Sequence, residues 1–186
     1  MKQPECRLTE KRMSDARFRR TEKLIFDAIC QKDPTPSVRQ IAKTTGLAKS
    51  TFYLHHATSH AIIPDIKWFI LQKYVKSIHG QVQIKRLYTT TLFFILNHKR
   101  FFLFLTGRGD RDFLIKMLRQ LDAQIELTAR LPQNSDKILR VHSGEICELI
   151  FCWCESGMPE EGISRLISET LFLTKTLRPR LMQLLS

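Results

Sequence analysis

The chain has 186 residues, 43% of them hydrophobic, and thirty Lys plus Arg against eighteen Asp plus Glu give a formal net charge of +12. That composition excludes a disordered polymer and provides for a real core in one or two small domains. The cationic excess suits an anionic partner, with nucleic acid ahead of a membrane surface. It is denser at the front: residues 1–60 hold twelve basic and six acidic side chains, against eighteen and twelve in the longer stretch 61–186.

Residues 1–13 are polar without a periodic apolar face and read as a flexible basic arm. The opening MKQPECRLTEKRMSD has no apolar run of a secretory signal, so the expected compartment is the cytoplasm. Ser14 or Asp15 can cap a first helix that turns Phe18, Leu24, Ile25, Ala28 and Ile29 to a core. Asp33-Pro34-Thr35-Pro36 is expected to stop it, since proline lacks the amide donor and restricts its predecessor.

The stretch 37–56, SVRQIAKTTGLAKSTFYLHH, carries the sharpest pattern. Val38, Ile41, Ala42 and Thr45 share one helix face, and Ser37 with Gln40 has the spacing of a capping box. Gly46 supplies the left-handed residue that ends a helix, and a second short helix from Ala48 to His56 buries Phe52. The spacing fits a helix-turn-helix whose second helix presents Lys49, Ser50, Thr51, Tyr53, Leu54 and His55 outward. Lysine, hydroxyls, tyrosine and histidine with few acids form a phosphate- and base-contacting set.

Beyond it, 62–79 reads as a long connecting helix with Pro64 near its first turn, closed by Gly80. Helices follow at about 83–97, 99–105 and 111–130, then one from Ile138 to Gly157 broken from its predecessor at Pro132–Ser135. A last main helix spans about 159–174 with Pro159 in its first turn, and a tail helix covers Leu177–Leu185. No strand or repeat is expected. The aromatic residues between 68 and 117 admit two readings: plain core filling, or an apolar effector pocket lined by Trp68, Tyr88, Phe93, Phe102, Phe113 and Met117.

The five cysteines, at 6, 30, 147, 152 and 154, lack metal-ligand spacing with histidines and read as reduced, mostly packed thiols. No metal or cofactor is expected, and no membrane span either, the apolar region 92–105 being short and broken by charge. No nucleophile–base pair or phosphate loop is present in the sequence, so an enzyme is not expected.

The run TGLAKSTFYLHH resembles the signature of TetR-like (tetracycline-repressor-type) transcriptional regulators. The resemblance implies a second helix in the major groove of a palindromic operator, with Arg39, Lys49, Ser50, Thr51, Leu54 and His55 at or near bases. It puts Ser37, Val38, Tyr53 and Thr58 near phosphates, and Arg20 near the DNA backbone. Three positions depart from the pattern: Ala48 replaces a capping residue, His56 a core aromatic, and Ser59 a lysine that meets phosphate.

The expectation is an all-α protein with an arm (1–13), a three-helix DNA-binding domain (14–60) and a helical domain (61–186) for effector binding and dimerisation. The last two long helices offer more apolar surface than two helices easily hide. The resemblance implies that they form a homodimer interface, here Ser143, Gly144, Leu149, Ile150, Trp153, Ile163, Leu166 and Ile167. The function it implies is a repressor that binds double-stranded DNA and is released by a small apolar effector. The alternative is a helical adaptor that keeps the fold but acts through a partner protein.

Overall fold

The computed structural model describes residues 8–30, 36–129 and 136–184, the side chains of Glu10, 126–129, 136–140 and 177–184 excepted. It is all-α, with no strand among the described residues. The helix stops expected at Asp33–Thr35 and Pro132–Ser135 lie outside those residues, as do the arm positions before Leu8. The chain divides into two compact units, Met1–Gln72 and Lys73–Ser186.

In the N-terminal unit α1 (Glu10–Ser14) precedes α2 (Ala16–Cys30), α3 (Val38–Thr45) and α4 (Lys49–His55), and α5 begins at Ile62. The arm reading fails for residues 8–13. Leu8 is buried, the Thr9 hydroxyl caps α1 by accepting from the Arg12 amide, and α1 packs on α2. The physical cause is one apolar side chain, Leu8, placed just ahead of a good cap. Asp15 then caps α2, its Oδ1 accepting from the amides of Arg17 and Phe18 at 2.7 and 3.1 Å. Those two donors hold its carboxyl below the usual range. α2 sends Ile25, Ala28 and Ile29 into the core, where Ile41 of α3 and Phe52 of α4 are also fully buried.

α5 (Ile62–Ile78) follows a single 3₁₀ turn at Ser59–Ala61 and continues past the division between the units. The C-terminal unit adds α6 (Ile84–Asn97), α7 (Lys99–Thr106), α8 (Asp112–Ala129), α9 (Asp136–Glu155) and α10 (Gly162–Leu184). α9 packs on α7, α8 and α10, and α10 also packs on α6. Phe101, Phe102 and Phe113 meet ring against ring, with Phe101–Phe113 centroids 5.3 Å apart and T-shaped. Cys147 and Cys154 are buried, and burial pushes their thiols up to about 11 and about 12. Cys152 is exposed.

Two boundaries differ from expectation. Pro159 precedes the last helix instead of opening it, and its carbonyl accepts the Trp153 indole N–H at 3.0 Å. α10 runs through Pro179 to Leu184 as one helix, so the separate tail helix expected at 177–185 is its last part. Among the described residues no helix is long and apolar enough to cross a membrane.

Candidate nucleic-acid interface

The helix-turn-helix is built as its residues dictate. The Ser37 hydroxyl accepts from the Gln40 amide, and the Gln40 side chain accepts from the Ser37 amide at 2.8 Å, which closes the capping box at the start of α3. Gly46 takes φ 71 and ψ 7, and its amide donates to the Ala42 carbonyl at 2.9 Å. A β-carbon at Gly46 would meet nothing within 4 Å, so the glycine is required by backbone conformation and not by crowding. Thr45 tightens the turn: its hydroxyl donates to the Ile41 carbonyl at 2.7 Å and accepts from the Leu47 amide at 3.3 Å. Ala48 gives α4 no side-chain cap.

α4 divides cleanly into two faces. Phe52 points inward, while Lys49 and Ser50 are exposed, Tyr53 is 46% and Leu54 66% exposed, and Thr51 is half-buried. The Tyr53 ring meets Phe52 edge-on at 5.4 Å, which limits its orientation. Arg20 and Arg39 are exposed, Val38 is half-buried, and Thr58 is exposed with its hydroxyl accepting from the Ala61 amide. Ser37 is exposed too, but its amide and hydroxyl are both engaged with Gln40. The Arg12 guanidinium donates to the Leu54 carbonyl at 3.4 Å, adding a cation at the end of α4.

His55 corrects the sequence reading. It is only 3% exposed, stacks on Phe18 with centroids 3.8 Å apart, and places Nδ1 2.9 Å from Glu22 Oε2. His56, which departs from the aromatic of the signature pattern, is fully buried between Glu22 and Asp65. Burial opposes its charge, yet the Asp65 and Glu22 carboxylates outweigh it and raise its pKa to about 9. Burial likewise opposes ionised Glu22, and the two imidazoles outweigh it and hold that carboxyl below its usual range. One consequence is electrostatic. Of the two acids in α2, Glu22 is taken inside while Arg17, Arg19, Arg20 and Lys23 stay exposed.

Glu22, His56 and Asp65 are therefore parts of the site that sequence reasoning missed. A signal was present: Glu22 shares a stripe with Phe18, Ile25 and Ile29, and Asp65 shares one with Ile62, Ile66 and Phe69. An acid on an apolar stripe calls for a buried cationic partner.

The remaining candidate sites fare differently. Phe102, Phe113 and Met117 are buried, while Trp68 and Phe93 are 40% and 46% exposed. Tyr88 belongs to a buried polar cluster. Its hydroxyl lies 3.1 Å from His142 Nε2 and accepts from Thr174 at 2.8 Å. Asp122 holds the other side, 3.3 Å from His142 Nδ1 and accepting from the Ser143 hydroxyl. Of the eight dimer candidates, Ser143, Ile150, Trp153, Ile163 and Leu166 are buried within the subunit, because α8, α9 and α10 pack on one another tightly enough to hide them. Gly144, Leu149 and Ile167 are half-buried, and a β-carbon at Gly144 would meet nothing within 4 Å. What α9 and α10 do leave open is a groove of about 520 Å³ lined by Leu149, Arg165, Ser168, Glu169, Phe172 and Leu173.

Among the described residues no group of three or more His, Cys, Asp or Glu has an arrangement that could hold a metal ion. Comparison of the sequence with protein-family models and with curated proteins finds no match. Among solved structures the chain is similar to the dihydroxyacetone kinase operon activator DhaS, with a TM-score of 0.58 and 16% identity. The likeness covers 84% of this chain and 97% of that one. At that identity it establishes a shared all-helical fold.

Proposed function

We propose that this chain is a DNA-binding transcriptional regulator that reads a palindromic operator as a homodimer, represses from it, and is released by a small-molecule effector. The observation that carries the reading is α4. It is a short helix seated on buried Phe52, with Lys49, Ser50, Tyr53 and Leu54 raised outward amid exposed cations from α2 and α3. Lys49, Ser50, Thr51, Leu54 and Arg39 would meet base edges or their surroundings, and Tyr53, Val38, Thr58 and Arg20 the backbone. A single such helix reads too few base pairs for tight specific binding, which favours two copies. The apolar groove with Phe172 on α10 suits the joining of those copies. An effector would act by moving α5, which is covalently continuous with both units.

The test is a gel shift and footprint on the DNA flanking its own gene over a series of salt concentrations. A protected palindrome lost on Lys49→Ala or Tyr53→Ala supports the reading, and its absence in the wild type overturns it. The absence of a side-chain cap at Ala48 favours one other reading, a helical adaptor acting through a partner protein. Stoichiometric co-purification of a second protein without specific DNA binding would decide for it. The structural neighbour DhaS is by its name an activator, so a reporter assay of the flanking genes in a deletion strain fixes the direction of regulation.

A further inference from the structure

His56 follows the last turn of α4 with a ring whose two nitrogens both face carboxylates. Nδ1 lies 2.9 Å from Asp65 Oδ2, and Nε2 lies 2.9 Å from Glu22 Oε1. A neutral imidazole owns one N–H and one lone pair, so it satisfies one ionised oxygen and turns a lone pair on the other. Both contacts are favourable together when the ring is cationic. The second Glu22 oxygen faces Nδ1 of His55 at 2.9 Å, and the His55 ring is stacked on Phe18. All four polar side chains are buried. The end of α4 is thus tied to α2 through Glu22 and to the first turn of α5 through Asp65.

We propose that Glu22, His55, His56 and Asp65 are positioning residues for the recognition helix, fixing the end of α4 by buried charge so that a displacement of α5 reaches α4 through the Asp65–His56 link. The proposal rests on reading α4 as the DNA-binding helix. None of the four acts on DNA directly. An apolar contact between helices tolerates sliding, because burial is non-directional. A buried cation between two carboxylates does not, since withdrawing either one breaks a charge-assisted hydrogen bond and leaves a buried ring N–H without its acceptor. The link is therefore stiff. It also spares α4 from depending on its weak N-terminal end at Ala48, where no side chain caps the helix.

Amide hydrogen exchange tests the link without DNA. The Phe52 amide donates to the Ala48 carbonyl at 3.2 Å and the His56 amide to the Phe52 carbonyl at 3.0 Å, so both report on α4. The Ile41 amide, donating to the Ser37 carbonyl, reports on α3. Asp65→Asn keeps shape and removes one charge. The triple variant Glu22→Gln/His56→Phe/Asp65→Asn removes the charge at those three positions while keeping an aromatic ring at 56, and it carries the same test if the single variant fails to fold. The expected result is exchange at least tenfold faster at Phe52 and His56, with Ile41 unchanged. In the same variants, affinity for a duplex selected by the wild type from a randomised pool falls tenfold or more, with the salt slope unchanged. Exchange equal to wild type in both variants overturns the proposal. Faster exchange together with a wild type that selects no duplex supports the link and overturns the DNA-binding reading of α4.

Discussion

Raising the pH across the range that deprotonates His56 should unfold the N-terminal unit selectively. The ring titrates near 6.5 in an unfolded chain and at about 9 here. Below pH 6.5 both states hold the proton and the stabilisation is complete. Between the two values the folded state keeps a proton that the unfolded state has lost, so stability falls as pH rises, by about 1.4 kcal/mol per pH unit. Over that window the loss sums to roughly 3 kcal/mol, a large share of a small unit's stability. Glu22 acts at the other end: its lowered pKa contributes stability above the usual glutamate range that is lost as pH falls through the folded value. Trp68 lies in the N-terminal unit and Trp153 in the C-terminal one, so urea titration of a Trp153→Phe background reads the former by fluorescence. The His56→Phe variant serves as reference for every other group that titrates in alkali. If the wild-type curve between pH 6.5 and 9 runs parallel to that of His56→Phe, His56 is not a buried cation and the reasoning fails.

Three further outcomes are expected. Arg20→Ala should lower the slope of log affinity against log salt by about one in operator binding, with base preference nearly unchanged, because this exposed guanidinium is assigned to the DNA backbone. Gly46→Ala should cost about 1 kcal/mol in urea titration, because φ 71 penalises a β-carbon although the space around it is open. A cost below about 0.3 kcal/mol would show that the turn relaxes to another conformation. Phe172→Glu should convert a dimer to a monomer in sedimentation velocity, since this ring is 66% exposed beside the apolar groove. An unchanged sedimentation coefficient would move the dimer to another face.

The helix-turn-helix was legible because its determinants are local. A capping box, a left-handed glycine and a 3.6-residue apolar period each act within four or five positions. Ser37, Gln40, Gly46 and Phe52 do in the structure what their spacing demands. The same holds for the ends of α5, α6 and α7, set by Gly80 and by the break at Asn97–His98. Leu8 was not legible, since one leucine in a polar stretch has no periodicity to reveal it. The apolar positions of α9 and α10 announced burial but not the partner. Ile150, Trp153, Ile163 and Leu166 looked available for a second copy, yet neighbouring helices of the same unit consume them.

By itself, then, the sequence determined an all-helical chain, the position of its turn motif and the cationic dress of its first sixty residues, because those follow from spacing and count. Tertiary structure decided which side chains of that motif face outward. His55 was assigned to the surface by its place in the pattern, and the approach of α2, with Phe18 against its ring and Glu22 from 33 positions away, draws it inside. A charge enters a core when another element brings its counter-charge, and no periodicity within one helix reports what another helix will bring.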